Sequence, residues 1–131
     1  MISYRSFLFA MIASLALLGA LPASAAEWKP FNAAEFAAAQ KDGKSILVDI
    51  FAPWCPVCRA QAPILEKLTA EPKFKDLVVF KVDFDTQTND IRVLKANQQG
   101  TLITYKGEAE KSRSVGDTNQ GSIAALLDSA L

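Results

Sequence analysis

The sequence predicts a small α/β domain, a central mixed β-sheet flanked by helices on both faces. Three observations carry that expectation. The runs Ser45–Phe51 and Leu77–Phe84 are nearly continuously apolar with several β-branched residues, as strands buried on both faces are. Segments with helical spacing alternate with these runs, the pattern of strands joined through crossover helices. Towards the C-terminus two short strands follow one another across a polar turn, which pairs them antiparallel and makes the sheet mixed.

Each element has a local reason. Trp28–Phe31 is short and mixed, an edge strand broken by Pro30. Asn32 caps a helix that reaches Gln40, with Phe36 and its alanines as the apolar face, and Asp42-Gly43 ends it. After the Ser45–Phe51 strand comes the turn Pro53-Trp54-Cys55-Pro56. From about Cys55 to Ala70 the spacing is helical, with Ile64, Leu65 and Leu68 on one face and Pro63 as an interior kink. Leu77–Phe84 is the second buried strand, and Asp90–Ala96 reads as a short amphipathic helix. Thr101–Tyr105 and Ser112–Val115 form a hairpin across Lys106–Glu110, Gly116 breaks the pattern, and Ser122–Leu131 is a helix with Ile123, Leu126 and Leu127 inward. The order is (β)αβαβαββα.

Composition bounds the chemistry. With 14 basic residues against 14 acidic ones in 131, there is room for one domain and no electrostatic ground for nucleic acid as a partner. There is no histidine, so no Ser-His-Asp or Cys-His pair, imidazole base or Cys/His zinc site can be built from this chain. Carboxylates, lysines, tyrosines and two thiols remain.

The N-terminus reads as an address. Met1–Ser6 carries one positive charge, Arg5, and leads into the uncharged apolar stretch Phe7–Leu18. Pro22 and the small-x-small triplet Ala23-Ser24-Ala25 follow. This is the form of a secretory signal peptide, residues 1–26, cleaved near Ala25/Ala26 to leave a domain over 27–131. The competing reading is a retained anchor, but the run falls short of the roughly 20 residues that span a bilayer. Such an export signal suits the periplasm, a compartment that permits disulfides.

Both cysteines lie in Trp54-Cys55-Pro56-Val57-Cys58, directly after a buried strand and at the start of a helix. In that context a CxxC reads as a dithiol redox motif. At the first helical turn Cys55 meets unpaired backbone N–H groups and the positive end of the helix dipole, both of which favour a thiolate. Cys58, three residues on, shares its face and can close a small disulfide ring. Cys55 would attack a substrate disulfide, and Cys58 would then resolve the mixed disulfide. Two other readings compete. A structural bridge is one, although so small a ring removes little loop entropy. A soft-metal site such as Cu(I) is the other, although no Met or His stands near to complete it.

The stretch Ile46-Leu47-Val48-Asp49-Ile50-Phe51-Ala52-Pro53-Trp54-Cys55-Pro56-Val57-Cys58-Arg59, continued by Ala62-Pro63-Ile64-Leu65, resembles the active-site strand and helix of thioredoxins. Phe80-Lys81-Val82-Asp83-Phe84-Asp85 is similar to their central strand, and Thr101–Gly116 to their terminal hairpin. The exported setting, the Ala-Pro-Trp-Cys lead-in and the Thr-Asn-Asp segment also resemble the C-terminal domain of DsbD-type interchange proteins. The resemblance implies a thioredoxin-like fold and a thiol:disulfide oxidoreductase, with Cys55 as nucleophile and Cys58 as resolving thiol. It makes Asp49 the buried acid that takes a proton from Cys58, and Lys81 the lysine that tunes it. Asp49 is, independently, a charge within an apolar strand, where desolvation raises a carboxyl pKa. Lys81 has the alternative reading of a surface lysine at a strand edge. Trp54 and Pro56, with Gly100 and Thr101 opposite, are the expected substrate-facing positions.

Two departures sharpen the expectation. Where the family carries a cis-proline before its fourth strand, this chain has Gln99-Gly100-Thr101, and no proline follows Pro72. Glycine can expose its backbone there but does not fix it, so a looser or reshaped substrate edge is expected, with thiols more open to a metal. Pro56-Val57 offers no cation to the thiolate, which argues against a very strong oxidant. The expected activity is a reductant or electron carrier for periplasmic protein disulfides, with a dithiol oxidase or a non-enzymatic Cu(I)-binding module as alternatives. Expected partners are protein thiols and disulfides and a membrane-bound thiol donor of DsbD/CcdA type. A monomer is expected, with no cofactor beyond the Cys55–Cys58 disulfide.

Overall fold

The computed structural model describes Gly19 and residues 25–131. The leader expected at 1–26 lies outside the described residues apart from Gly19, Ala25 and Ala26. Ala26 already belongs to the domain: it is buried in the core and its N–H donates to the Thr69 carbonyl at 3.1 Å. Among the described residues the packed core thus includes Ala26 as well as 27–131.

Ten elements follow: β1 (Glu27–Pro30), α1 (Ala33–Lys41), β2 (Ser45–Phe51), α2 (Pro56–Thr69), a short 3-10 turn (Pro72–Phe74), β3 (Leu77–Asp83), α3 (Thr88–Val93), β4 (Thr101–Lys106), β5 (Ala109–Val115) and α4 (Gln120–Asp128). The strands form one sheet in the order β1-β3-β2-β4-β5. β3 runs parallel to both β1 and β2, whereas β4 is antiparallel to β2 and to β5. The mixed sheet read from the sequence is thus present, with β2 at its centre.

Alternation along β2 divides the interior into two layers. Leu47 faces Leu65 and Leu68 of α2 and Ile123, Leu126 and Leu127 of α4. Ile46, Val48 and Ile50 face the opposite layer, where Phe36 of α1 and Ile91 of α3 pack. Phe36 is the hub of that second layer, lying 5.2 Å from Phe31, 5.7 Å from Phe80 and 5.3 Å from Tyr105 between ring centroids. The contacts with Phe80 and Tyr105 are edge-to-face, the arrangement the ring quadrupole favours.

Several boundaries differ from those expected. The hairpin turn is Gly107-Glu108 alone, and β5 begins at Ala109 instead of Ser112. Gly107 supplies φ +57° at the first turn position, as tight hairpins require, and a bulge at Thr104/Tyr105 absorbs the register change. The polar start of β5 lacks the apolar alternation of a half-buried strand because it is an exposed edge. α3 starts and ends earlier than Asp90–Ala96. Gln87 braces its start, accepting from the Asp83 N–H and donating to the Phe31 carbonyl and the Asp90 carboxylate. Lys95, at φ +55°, stops the helix, and Arg113 on β5 donates to the Leu94 and Lys95 carbonyls at 2.9 Å each. Asn119 caps α4 through the Ser122 N–H, so the helix starts at Gln120, two residues before the expected Ser122.

Phe80 is fully buried between β3 and the Phe31/Phe36 pair. Phe80→Ala is expected to lower unfolding stability by about 3–5 kcal/mol, from lost transfer energy and the cavity left behind. Urea denaturation measures it, and a loss below about 1 kcal/mol would mean that the aromatic layer collapses to fill the space.

Candidate active site

β2 delivers the site. Its last residue, Phe51, is followed by a turn in which the Cys55 N–H donates to the Ala52 carbonyl at 3.1 Å. Cys55 is the N-cap of α2, in an extended conformation, and Pro56 takes the first helical position, where a missing N–H costs nothing. The Cys58 N–H donates to Cys55 Sγ at 3.1 Å. The two cysteines are joined as a disulfide with Cα atoms 5.3 Å apart. When the pair is reduced, the same N–H and the helix dipole stabilise negative charge on Cys55, and no acidic residue in the first turn opposes them.

The disulfide is largely enclosed, with Cys55 2 % and Cys58 9 % exposed, packed with Ala52 against Phe51, Val57 and Phe84. Around it stand exposed groups. Trp54 is 54 % exposed and its indole N–H donates to the Asp85 carboxylate at 2.9 Å, fixing the ring against the turn after β3. Pro56 is exposed beside it.

Behind Cys58, Asp49 and Lys81 are direct partners across the β2–β3 ladder and so share a face of the sheet. Asp49, Lys81 and Cys58 line one cavity of about 160 Å³ together with Pro53, Arg59 and Ala62. Burial raises the Asp49 carboxyl from its ordinary 3.8 to about 6, with the Lys81 charge pulling the other way. Lys81 is half-buried, its ammonium 4.2 Å from the centroid of the Phe51 ring. It is thus neither a free surface lysine nor a residue of the apolar core.

The segment opposite the disulfide differs from the open edge expected of it. Gly100 is buried at φ +74°, and among the described residues there is no cis peptide bond. Its N–H donates to the Ile50 carbonyl at 2.7 Å, and its carbonyl accepts from the Gly116 N–H at 3.0 Å and from Gln61 Nε2 at 3.1 Å. Both polar groups of Gly100 are therefore engaged inside the chain. Thr101 is buried as well, its hydroxyl donating to the Gln98 carbonyl at 2.7 Å. The polar groups of Gly100 and the Thr101 hydroxyl are thus satisfied within the chain. Among the described residues the N–H and carbonyl of Gln99 make no intramolecular hydrogen bond, which leaves that residue as the available backbone edge.

Sequence reasoning missed Gln61, Phe84 and Asp85. Gln61 had a signal, since it lies three residues after Cys58 and four before Leu65, on the buried face of α2. Asp85 could be linked to Trp54 only once the β3 turn was placed.

A dithiol at a helix N-terminus, backed by a buried carboxyl whose pKa has moved towards neutrality, defines a thiol:disulfide oxidoreductase. The chain belongs to the thioredoxin family, whose model matches residues 27–129. It is 35 % identical over 86 residues to thioredoxin-2 of Saccharomyces cerevisiae, covering 65 % of this chain and 81 % of that one. It is 34 % identical over 82 residues to the thioredoxin of Chlamydia trachomatis, covering 63 % and 78 %. Among solved structures it is similar to Trxlp of Edwardsiella tarda, with a TM-score of 0.75 and 42 % identity over 77 % of this chain and 98 % of that one.

The Asp49 carboxyl gives a signed prediction. Its value rises from 3.8 to about 6 on folding, so the folded chain holds the proton more tightly than the unfolded one. That stabilisation is complete below the unfolded value and is lost as pH rises through about 6. Asp49→Asn is expected to exceed the parent in stability at neutral pH by about 3 kcal/mol, the gap closing in acid. Urea denaturation across the acid-to-neutral range checks this; a gap independent of pH would remove burial of the charge as its cause.

Proposed function

We propose that this thioredoxin-family oxidoreductase is exported and works as a reductant or electron carrier for periplasmic protein disulfides. It would be recharged by a membrane-bound thiol donor of DsbD/CcdA type and need no cofactor beyond the Cys55–Cys58 pair. The observation that carries the redox reading is Cys55 at the N-cap of α2 with the Cys58 N–H on its sulfur. The leader-like sequence of residues 1–26 supports export, and Val57, which adds no cation beside the thiolate, supports a reductant over an oxidase.

The steps balance. The Cys55 thiolate attacks one sulfur of the substrate disulfide, the substrate S–S bond breaks, and the other sulfur leaves as a thiolate that takes a proton. Asp49 takes the proton of Cys58 through the cavity they share, and the Cys58 sulfur displaces the second substrate thiolate from Cys55. The substrate gains two electrons from the dithiol and two protons, one from solvent and the one that left Cys58 and is released by Asp49, and the protein is left as the Cys55–Cys58 disulfide. Lys81 holds the Asp49 pKa below the value burial alone would set. Trp54 and Pro56 flank the entering disulfide, and the Gln99–Gly100–Thr101 turn faces it.

The reduction potential decides direction. Equilibration with glutathione buffers is expected to give a value near the thioredoxin end, about −270 mV, and one near about −120 mV would establish the oxidase alternative instead. Stoichiometric Cu(I) uptake without disulfide turnover would establish the binding module. Cys58→Ala is expected to accumulate a mixed disulfide on Cys55, seen by mass spectrometry. Asp49→Ala is expected to slow release of that species by about 10²-fold while leaving its formation within a few-fold, measured by rapid-quench kinetics. An unchanged release rate would take Asp49 out of the mechanism. Sequencing the N-terminus of protein from a periplasmic extract tests export, with a start near Ala26 expected.

A further inference from the structure

Gly100 is the least constrained residue type at the position where the backbone faces Val57, between the two cysteines, yet it is held from three sides. Ile50 at the end of β2, Gly116 after β5 and Gln61 on α2 all hydrogen-bond to its peptide groups. The first two contacts are backbone to backbone. The third depends on a side chain, and that side chain is unusual. Gln61 is 1 % exposed, and Nε2 donates both to the Gly100 carbonyl and, at 2.8 Å, to the Asp117 carbonyl. Two carbonyl partners fix the amide's orientation, because flipping it would aim its oxygen at two other oxygens. Oε1 is then left buried with no partner. An apolar side chain of similar length would fill the space without an orphaned acceptor, so what the glutamine contributes is its donors.

Its place in the fold gives those donors a use. Gln61 is three residues after Cys58 on the same face of α2, so it couples the helix that carries the disulfide to the turn opposite it. The gap between them is already tight, because a Cβ built on Gly100 would lie 3.0 Å from Val57 Cγ1. We propose that Gln61 is a positioning residue for disulfide exchange. By holding the Gly100 and Asp117 carbonyls to α2, it keeps the Gln99–Gly100 turn in the one geometry that a partner polypeptide meets. It takes over, from α2, the stiffness that the glycine itself lacks. The inference rests on the reading of Cys55–Cys58 as an exchange site for protein disulfides.

Gln61→Met keeps the length and burial of the side chain and removes its donors, and Gln61→Leu guards against an effect peculiar to methionine. Each is compared with the parent on a polypeptide substrate, insulin, and on a small aromatic disulfide that brings no peptide edge. The KM for insulin is expected to rise about tenfold with kcat and the small-disulfide rate within about twofold, the signature of lost positioning of a polypeptide substrate. Amide exchange of Gly116, read by NMR, is expected to accelerate as the clamp on the Gly100 carbonyl loosens. Equal losses on the two substrates, or no change on insulin, would overturn the role of Gln61 while leaving exchange at Cys55–Cys58 intact. A parent protein that reduces neither substrate would overturn the exchange reading and this inference with it.

Discussion

Burial of β2 on both faces is the constraint from which the site follows. Because six of its seven residues are buried, with β3 on one side and β4 on the other, the strand has one register available. That register sets where the chain leaves the sheet, and the turn after Phe51 places Cys55 at the cap of α2. It also forces Asp49 inward. A slip of one residue would bring Asp49 to the other layer, among the aromatic rings, and send Val48 to the cavity behind Cys58. The chemistry of the thiol pair is therefore tied to the packing of a strand that ends four residues before it.

The opposite wall of the site is built differently. Residues 94–100 form no strand and are held by the backbone bonds of Gly100 to Ile50 and Gly116 and by side chains reaching in from distant elements. Arg113 on β5 gathers the carbonyls at the end of α3, and Gln61 on α2 gathers those of Gly100 and Asp117. Such contacts can be altered one at a time without disturbing the core. One wall of the site is thus set by the sheet, and the other by two backbone bonds together with replaceable polar clamps.

This difference explains what could be read from the sequence. The β2 and β3 runs, the Asn32 cap, the CxxC at a strand-to-helix junction and the inward Asp49 all follow from local pattern, and all are present. The extent of β5 was not legible, because an exposed edge strand need not alternate and Ala109–Lys111 looks like a loop. The true start of α3 depends on Gln87 reaching Phe31, 56 positions away. Gly100 was legible as a departure from the family's proline but not in its consequence. Nothing local to Gln99-Gly100-Thr101 reveals that its polar groups are consumed by Ile50, Gly116 and Gln61.

The buried carboxyl also ties the redox couple to its surroundings. Burial raises the Asp49 carboxyl to about 6, so it changes protonation between mildly acid and neutral pH. In the proposed mechanism the charged form of Asp49 can take the Cys58 proton and the protonated form cannot, so the fraction of protein ready for the resolving step follows ambient acidity. Under that proposed role the resolving step would slow in mildly acid surroundings, and a mixed disulfide with a partner would live longer there.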